Sequence, residues 1–227
     1  MQIAFHIGLH HTDDDRLLKC ALKNNDVLQK QNISVPGPSR YRRVLREAIQ
    51  ALDGQMPDAG ARDVVLDAIC DSDQPDRLVM AFDNFICVPN RVFEEGQVYG
   101  QTEEKLAGLQ NIFPLDEIEL FIGLRNPATF VPALFESCDE RDFGTFLAGV
   151  DPAALRWSHL IDRIRTVLPD AQVNVWCNED TPLIWGQLVR EFCGLEANTQ
   201  LNGGFDLLAE IMSQEGMQRL RSYLASH

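Results

Sequence analysis

The chain is short of positive charge. Across 227 residues, 34 Asp and Glu face 20 Lys and Arg, a formal net charge of −14. Nucleic acids and anionic membrane surfaces are bound by basic faces, so this balance argues against both as partners. There is no apolar run near the roughly 20 residues that cross a bilayer. The opening residues lack a basic stretch ahead of an apolar one, so no secretory leader is expected. The six cysteines (Cys20, Cys70, Cys87, Cys138, Cys177 and Cys193) include no Cys-x-x-Cys pair. A disulfide framework or zinc site is therefore not expected, and buried free thiols in a reducing cytoplasm are. Internal repeats, low-complexity runs and long linkers are missing too, so residues 1–227 read as a single domain.

What is present is an alternation of strands and helices. Hydrophobic residues make up 45% of the chain. Strands are expected at 3–7, 32–36, 77–82, 118–124 and 173–177. Helices are expected at 14–31, 39–52, 61–71, 102–112, 128–137, 143–148, 152–168 and 181–192, with one or two more from 205 onward. Residues 85–100 have a mixed pattern and read as a surface excursion. The order predicts a three-layer α/β/α fold with a mainly parallel central sheet of about five strands. Polar residues gather at the strand ends: His10 to Asp15, Asp83 and Asn84, Arg125, and Asn178 to Asp180. The crossover rule puts these on one edge of the sheet, where open α/β sheets place ligands.

The most informative stretch is the first turn, Ile3-Ala4-Phe5-His6-Ile7-Gly8 followed by Leu9-His10-His11-Thr12-Asp13-Asp14-Asp15. A strand ends at a glycine, a short loop follows, and a helix begins. Backbone N–H groups at a helix start suit an anion, and phosphates are commonly bound there. Three consecutive aspartates at this place would repel a phosphate. Their simplest account is local: carboxylates cap the first turn and favour its dipole. Arg40, Arg42, Arg43 and Arg46 cluster at the start of the 39–52 helix, as a paired solvated face or a holder of an anion. His6 and His159 read as structural histidines, and Trp157, Trp176 and Trp185 as core.

In layout the chain resembles the sulfotransferase family, of the P-loop nucleotide-hydrolase-like fold. The resemblance rests on His6-Ile7-Gly8-Leu9-His10-His11-Thr12 with Leu17, Asn24, Asn25, Leu28 and Pro36 behind it. Bacterial members commonly show a His-Ile-Gly start, a Lys-Thr-Gly-Thr-Thr loop, a helix, an Asn and a short strand ending in Pro. Ile118 to Arg125-Asn126-Pro127 is similar to the strand and Arg-x-Pro motif that holds the donor's 3′-phosphate. Val173 to Glu179 resembles a late strand ending in Glu. The resemblance implies binding of 3′-phosphoadenosine 5′-phosphosulfate or its bisphosphate product. Gly8, Thr12, Asp13, Asp14, Asp15 and Arg125 would stand at the donor position. His10, His11 and Asp83 are the candidate catalytic groups.

The departures from the family pattern concern the same loop. His11 stands where the lysine is expected, and Asp13, Asp14 and Asp15 stand where Gly-Thr-Thr is expected. Ionised carboxylates cannot donate hydrogen bonds. Ala133 replaces the serine expected eight residues after Arg125. Sulfuryl transfer needs a base for the acceptor hydroxyl and positive charge on the leaving phosphate. Three readings stay open. The chain is a degenerate relative that has lost use of the donor and binds a small molecule, glycan or protein. Alternatively it is an active sulfotransferase with a remodelled loop. In the third, His10, His11 and the aspartates hold a metal that binds phosphate.

Overall fold

The computed structural model describes residues 1–70 and 75–226. Five strands form one sheet: β1 (Gln2–His6), β2 (Ile33–Ser34), β3 (Arg77–Ala81), β4 (Glu117–Leu124) and β5 (Gln172–Cys177). All pairings are parallel, and the order across the sheet is β2-β3-β1-β4-β5. In register, His6 lies between Ala81 and Phe121. The carboxyl ends of β1, β3 and β4 therefore stand side by side, with β1 in the middle.

Alternation along the strands divides the core in two. Ile3, Phe5, Leu78, Met80, Leu120 and Ile122 face one layer. That layer is built from α3 (Pro38–Leu52), α4 (Ala61–Ile69), α5 (Thr102–Ile112), α6 (Pro127–Ser137) and α8 (Trp157–Val167). Ala4, Val79, Ala81 and Phe121 face the other, built from α1 (Arg16–Lys23), α2 (Asn25–Gln29), α9 (Thr181–Cys193) and α10 (Asp206–Ile211). Two further helices are α7 (Phe143–Leu147) and α11 (Gln214–Ser226). The expected α/β/α layering with a five-stranded parallel sheet is what forms. Among the described residues, no helix is long and apolar enough to cross a membrane.

Four local expectations change. The helix expected at 14–31 is two helices, because Asn24 turns inward between them. Its Nδ2 donates to Cys20 O at 2.8 Å and Asn202 O at 3.0 Å, and its Oδ1 accepts from Asn202 N at 2.8 Å. Such side-chain-to-backbone bonds compete with the helical ladder. The helix expected at 152–168 starts only at Trp157. Asp151 accepts from Ala153 N at 2.9 Å, closing a separate 3-10 turn, and His159 lies exposed on the shortened helix. The 61–71 helix ends at Ile69, and Asp71 lies outside the described residues.

The fourth change is the largest. Residues 85–100 are not a surface excursion: Phe85, Ile86, Cys87, Val92, Phe93 and Tyr99 are buried. They fold down over the carboxyl end of β1 and β3 and close the first core layer. All six cysteines are free thiols, four of them buried. Cys177 is exposed because β5 is an edge strand.

Candidate functional site

Residues 8–15 run along the carboxyl edge of the sheet before entering α1. Leu9 N donates to Gly123 O at 3.1 Å and Gly123 N donates to Gly8 O at 2.9 Å, so the loop first continues the pairing with β4. Gly8 has φ +109°, and a Cβ there would lie 3.4 Å from Asp83 O. Glycine is required for that conformation, and the loop runs in contact with Asp83 just past the end of β3. Thr12 Oγ1 donates to Leu9 O at 2.6 Å and packs against Gly123. The hydroxyl closes the loop on itself.

Asp13 is the centre of the turn. It is only 5% exposed, and Oδ2 accepts from Leu17 N, in the first turn of α1, at 2.9 Å. Oδ1 meets His6 Nε2 at 2.9 Å, while His6 Nδ1 lies 2.9 Å from Phe121 O. Both partners of the imidazole are acceptors, so both ring nitrogens donate and His6 is the imidazolium. Burial favours the neutral ring. The Asp13 charge and its hydrogen bond outweigh that and raise the His6 pKa above its ordinary value. Burial likewise pushes the Asp13 carboxyl up, but the His6 charge, the His6 bond and the Leu17 N–H together hold it below the usual range. A carboxylate of the chain thus occupies the anion position at the helix start.

The other two aspartates act differently. Asp15 adopts φ 63° at the N-cap of α1 and makes no side-chain cap bond. It turns away to form a two-pronged ion pair with Arg42 of α3. Arg42 also donates from Nε to Ala81 O at 3.1 Å, and its guanidinium lies 5.4 Å from the Phe82 ring centroid. Asp14 is exposed with φ 50°. Capping by the triplet therefore reduces to Asp13. Of the arginine cluster, Arg42 is bound to the loop and Arg43 pairs with Glu47 at 3.8 Å.

His10 is buried and enclosed by two partners. Nε2 donates to Asn84 Oδ1 at 2.8 Å. Nδ1 accepts from Tyr99 Oη at 2.8 Å, and Tyr99 Oη in turn accepts from His10 N at 3.3 Å. Burial lowers the His10 pKa despite the bond to Asn84, so the ring is neutral with its proton on Nε2. Burial also lowers the pKa of His11, with Arg125 acting in the same direction and Asp14 opposing. His11 Nε2 donates to Ser137 Oγ at 3.0 Å, since that hydroxyl gives its own proton to Leu134 O. Arg125, at the end of β4, donates from Nη1 to His11 O at 3.0 Å and from Nε to Thr129 Oγ1 at 3.1 Å. Asp83 is half-buried at the end of β3 and accepts from Asn84 N at 2.9 Å.

All nine residues singled out in the sequence (Gly8, His10, His11, Thr12, Asp13, Asp14, Asp15, Asp83 and Arg125) thus share one edge of the sheet. Their side chains do not converge on one point. Among the described residues, no three His, Cys, Asp or Glu side chains come together as a metal-ligand group. Of the side chains read as a candidate metal group, Asp13 is turned to His6, Asp15 to Arg42 and His10 to Tyr99. Sequence reasoning missed Tyr99 and Ser137, and did not assign the parts played by Asn84 and Arg42. Only Arg42 and Asn84 carried a signal, as a member of a cationic cluster and as a polar residue at a strand end.

The fold and its site edge define a class: a parallel α/β sheet with a polar loop between its central strand and first helix. No family model matches the chain, and no curated protein matches it. Among solved structures, it is similar to a sulfotransferase from Alicyclobacillus acidocaldarius, with a TM-score of 0.51 and 15% identity over 100% of this chain and 92% of that one. The fold is sulfotransferase-like.

Proposed function

We propose that this chain is a sulfotransferase-fold protein that has lost use of the phosphosulfate donor and acts by binding another molecule. The observation that carries the reading is Asp13, whose carboxylate already fills the anion position at the start of α1. The residues at the loop do not fit 3′-phosphoadenosine 5′-phosphosulfate. Asp13 takes the Leu17 N–H that a phosphate would use, and the His6 charge behind it is already neutralised by that carboxylate, so the helix start offers a phosphate no net positive charge. His11 stands at the family's lysine position with a lowered pKa, and Lys19 donates to Asp14 O at 3.2 Å on the solvent side of the loop. Arg42 is engaged by Asp15, and Arg125 donates to the loop backbone. Both nitrogens of His10 are engaged, so it does not serve as a free base. The free thiols fit a reducing compartment, and we place the protein in the cytoplasm on that ground.

The second reading, an active transferase with a remodelled loop, draws on two residues. Arg125 stands at the end of β4 beside the loop, and Asp83 is half-buried at the end of β3. Calorimetry with 3′,5′-bisphosphoadenosine separates the readings, run metal-free and then with Mg²⁺ or Mn²⁺. The proposal expects no binding heat in any condition. Stoichiometric micromolar binding that disappears in Arg125→Ala overturns it in favour of the active reading.

A further inference from the structure

We propose that the cleft between α3 and α5, at the carboxyl end of β3, binds a small organic monoanion: an aromatic body carrying one carboxylate, with Arg46 holding the carboxylate. This deepens the binding role proposed above and rests on that reading. The cleft has a volume of about 770 Å³, within the range of small-molecule sites. None of residues 8–15 lines it. Phe82, Phe85 and Ile86, from the end of β3 and the segment folded over it, form an apolar floor. The two helices meet tightly beside it, since a Cβ on Gly108 would fall 2.7 Å from Ile49 Cγ2.

Charge selects the ligand. Three cations line the cleft: Arg46, Arg91 and Lys105. Arg91 is held by Glu94 at 2.6 Å and Lys105 by Glu104 at 3.0 Å. Arg46 is exposed and, among the described residues, has no ion-pair or hydrogen-bond partner. A planar guanidinium matches a carboxylate with two parallel bonds. Asp53 and Glu104 also line the cleft and would repel a second negative charge, which favours a monoanion over a phosphate dianion. Asn84 adds an exposed carboxamide to the lining, its Oδ1 committed to His10. The apolar floor favours a flat ring through the apolar area it would cover.

The test is an amide NMR titration of the full chain with 1-naphthoate, and separately with the neutral 1-naphthalenemethanol. Saturable shifts around residues 46, 84 and 105 are expected with the acid, and about tenfold weaker binding with the alcohol, the size of one charge-assisted bond. Arg46→Gln should remove most of that difference, while Arg43→Gln on the same helix should keep it. Equal binding of acid and alcohol, shifts centred elsewhere, or no saturable shift at millimolar ligand overturns the proposal. A third titration with 3′,5′-bisphosphoadenosine keeps the two readings apart. Shifts confined to residues 8–15 refute the donor-loss reading without touching the residues that line the cleft.

Discussion

Replacing Asp13 tests the central device of this fold. His6 is 1% exposed and Asp13 5%, so the pair is barely screened by solvent. In Asp13→Ala the imidazolium loses its charge partner and Leu17 N loses its acceptor. Removing one member of a buried, hydrogen-bonded pair costs about 3–5 kcal/mol, which for a chain of this size lowers Tm by roughly 2–4 °C per kcal/mol. Asp13→Asn is milder, about 1–3 kcal/mol. Its amide group accepts from Leu17 N and donates to a neutral His6.

The two variants also differ from the native chain in pH dependence. His6 has a folded-state pKa above 6.5, so its contribution is complete below 6.5 and is lost as pH rises through the folded value. Asp13 has a folded-state pKa below 3.8, so its contribution is complete above 3.8 and is lost as pH falls through the folded value. The pair therefore stabilises fully between those limits. Urea unfolding followed by circular dichroism, at about pH 5.5 and about pH 8.5, spans the ordinary imidazole value. The gap between native and Asp13→Asn stability should be larger at the acid point. A gap of the same size at both, or an Asp13→Ala cost below about 1 kcal/mol, the size of an ordinary hydrogen bond, would refute the buried ion pair.

Two other substitutions probe the walls of the loop. Arg42→Ala removes the Asp15 pair and the donors to Ala81 O; since both charges are partly solvated, the expected cost in urea unfolding is only about 1–2 kcal/mol. Arg42→Lys should recover less than half of it, because an ammonium cannot reproduce the fork. Tyr99→Phe leaves His10 Nδ1 and His10 N without their common partner, and should cost about 1–3 kcal/mol in the same assay while moving the His10 ring resonances. Unchanged His10 resonances would refute that network.

The architecture could be read from the chain because it rests on local patterns. Buried parallel strands appear as short apolar runs, and amphipathic helices with recognisable ends alternate with them. Asn126 caps α6 through Ala128 N at 2.9 Å, and Gly194 closes α9 with φ 72°, both at places where the residue type alone marks a boundary. The clustering of polar residues on one sheet edge followed from topology, since parallel strands all end on the same side. Even the anion-like position at the start of α1 was legible, as a glycine, a short loop and a helix.

What each polar side chain does at that edge depended on distant partners. Asp13, Asp14 and Asp15 are chemically identical in sequence, yet one is buried against His6, one faces solvent and one grips Arg42, which lies 27 residues along. Positive φ at Asp14 and Asp15 swings their side chains apart, and no local pattern encodes that choice. Tyr99 reaches His10 across 89 residues, from a segment whose mixed composition hid its burial. The sequence by itself thus determined the sheet, its helices and the edge where polar chemistry gathers, because those follow from periodicity and chain direction. Only the tertiary structure decided that Asp13 and Asp15 are spent on the protein's own His6 and Arg42, because burial and pairing are properties of neighbours brought together by the fold.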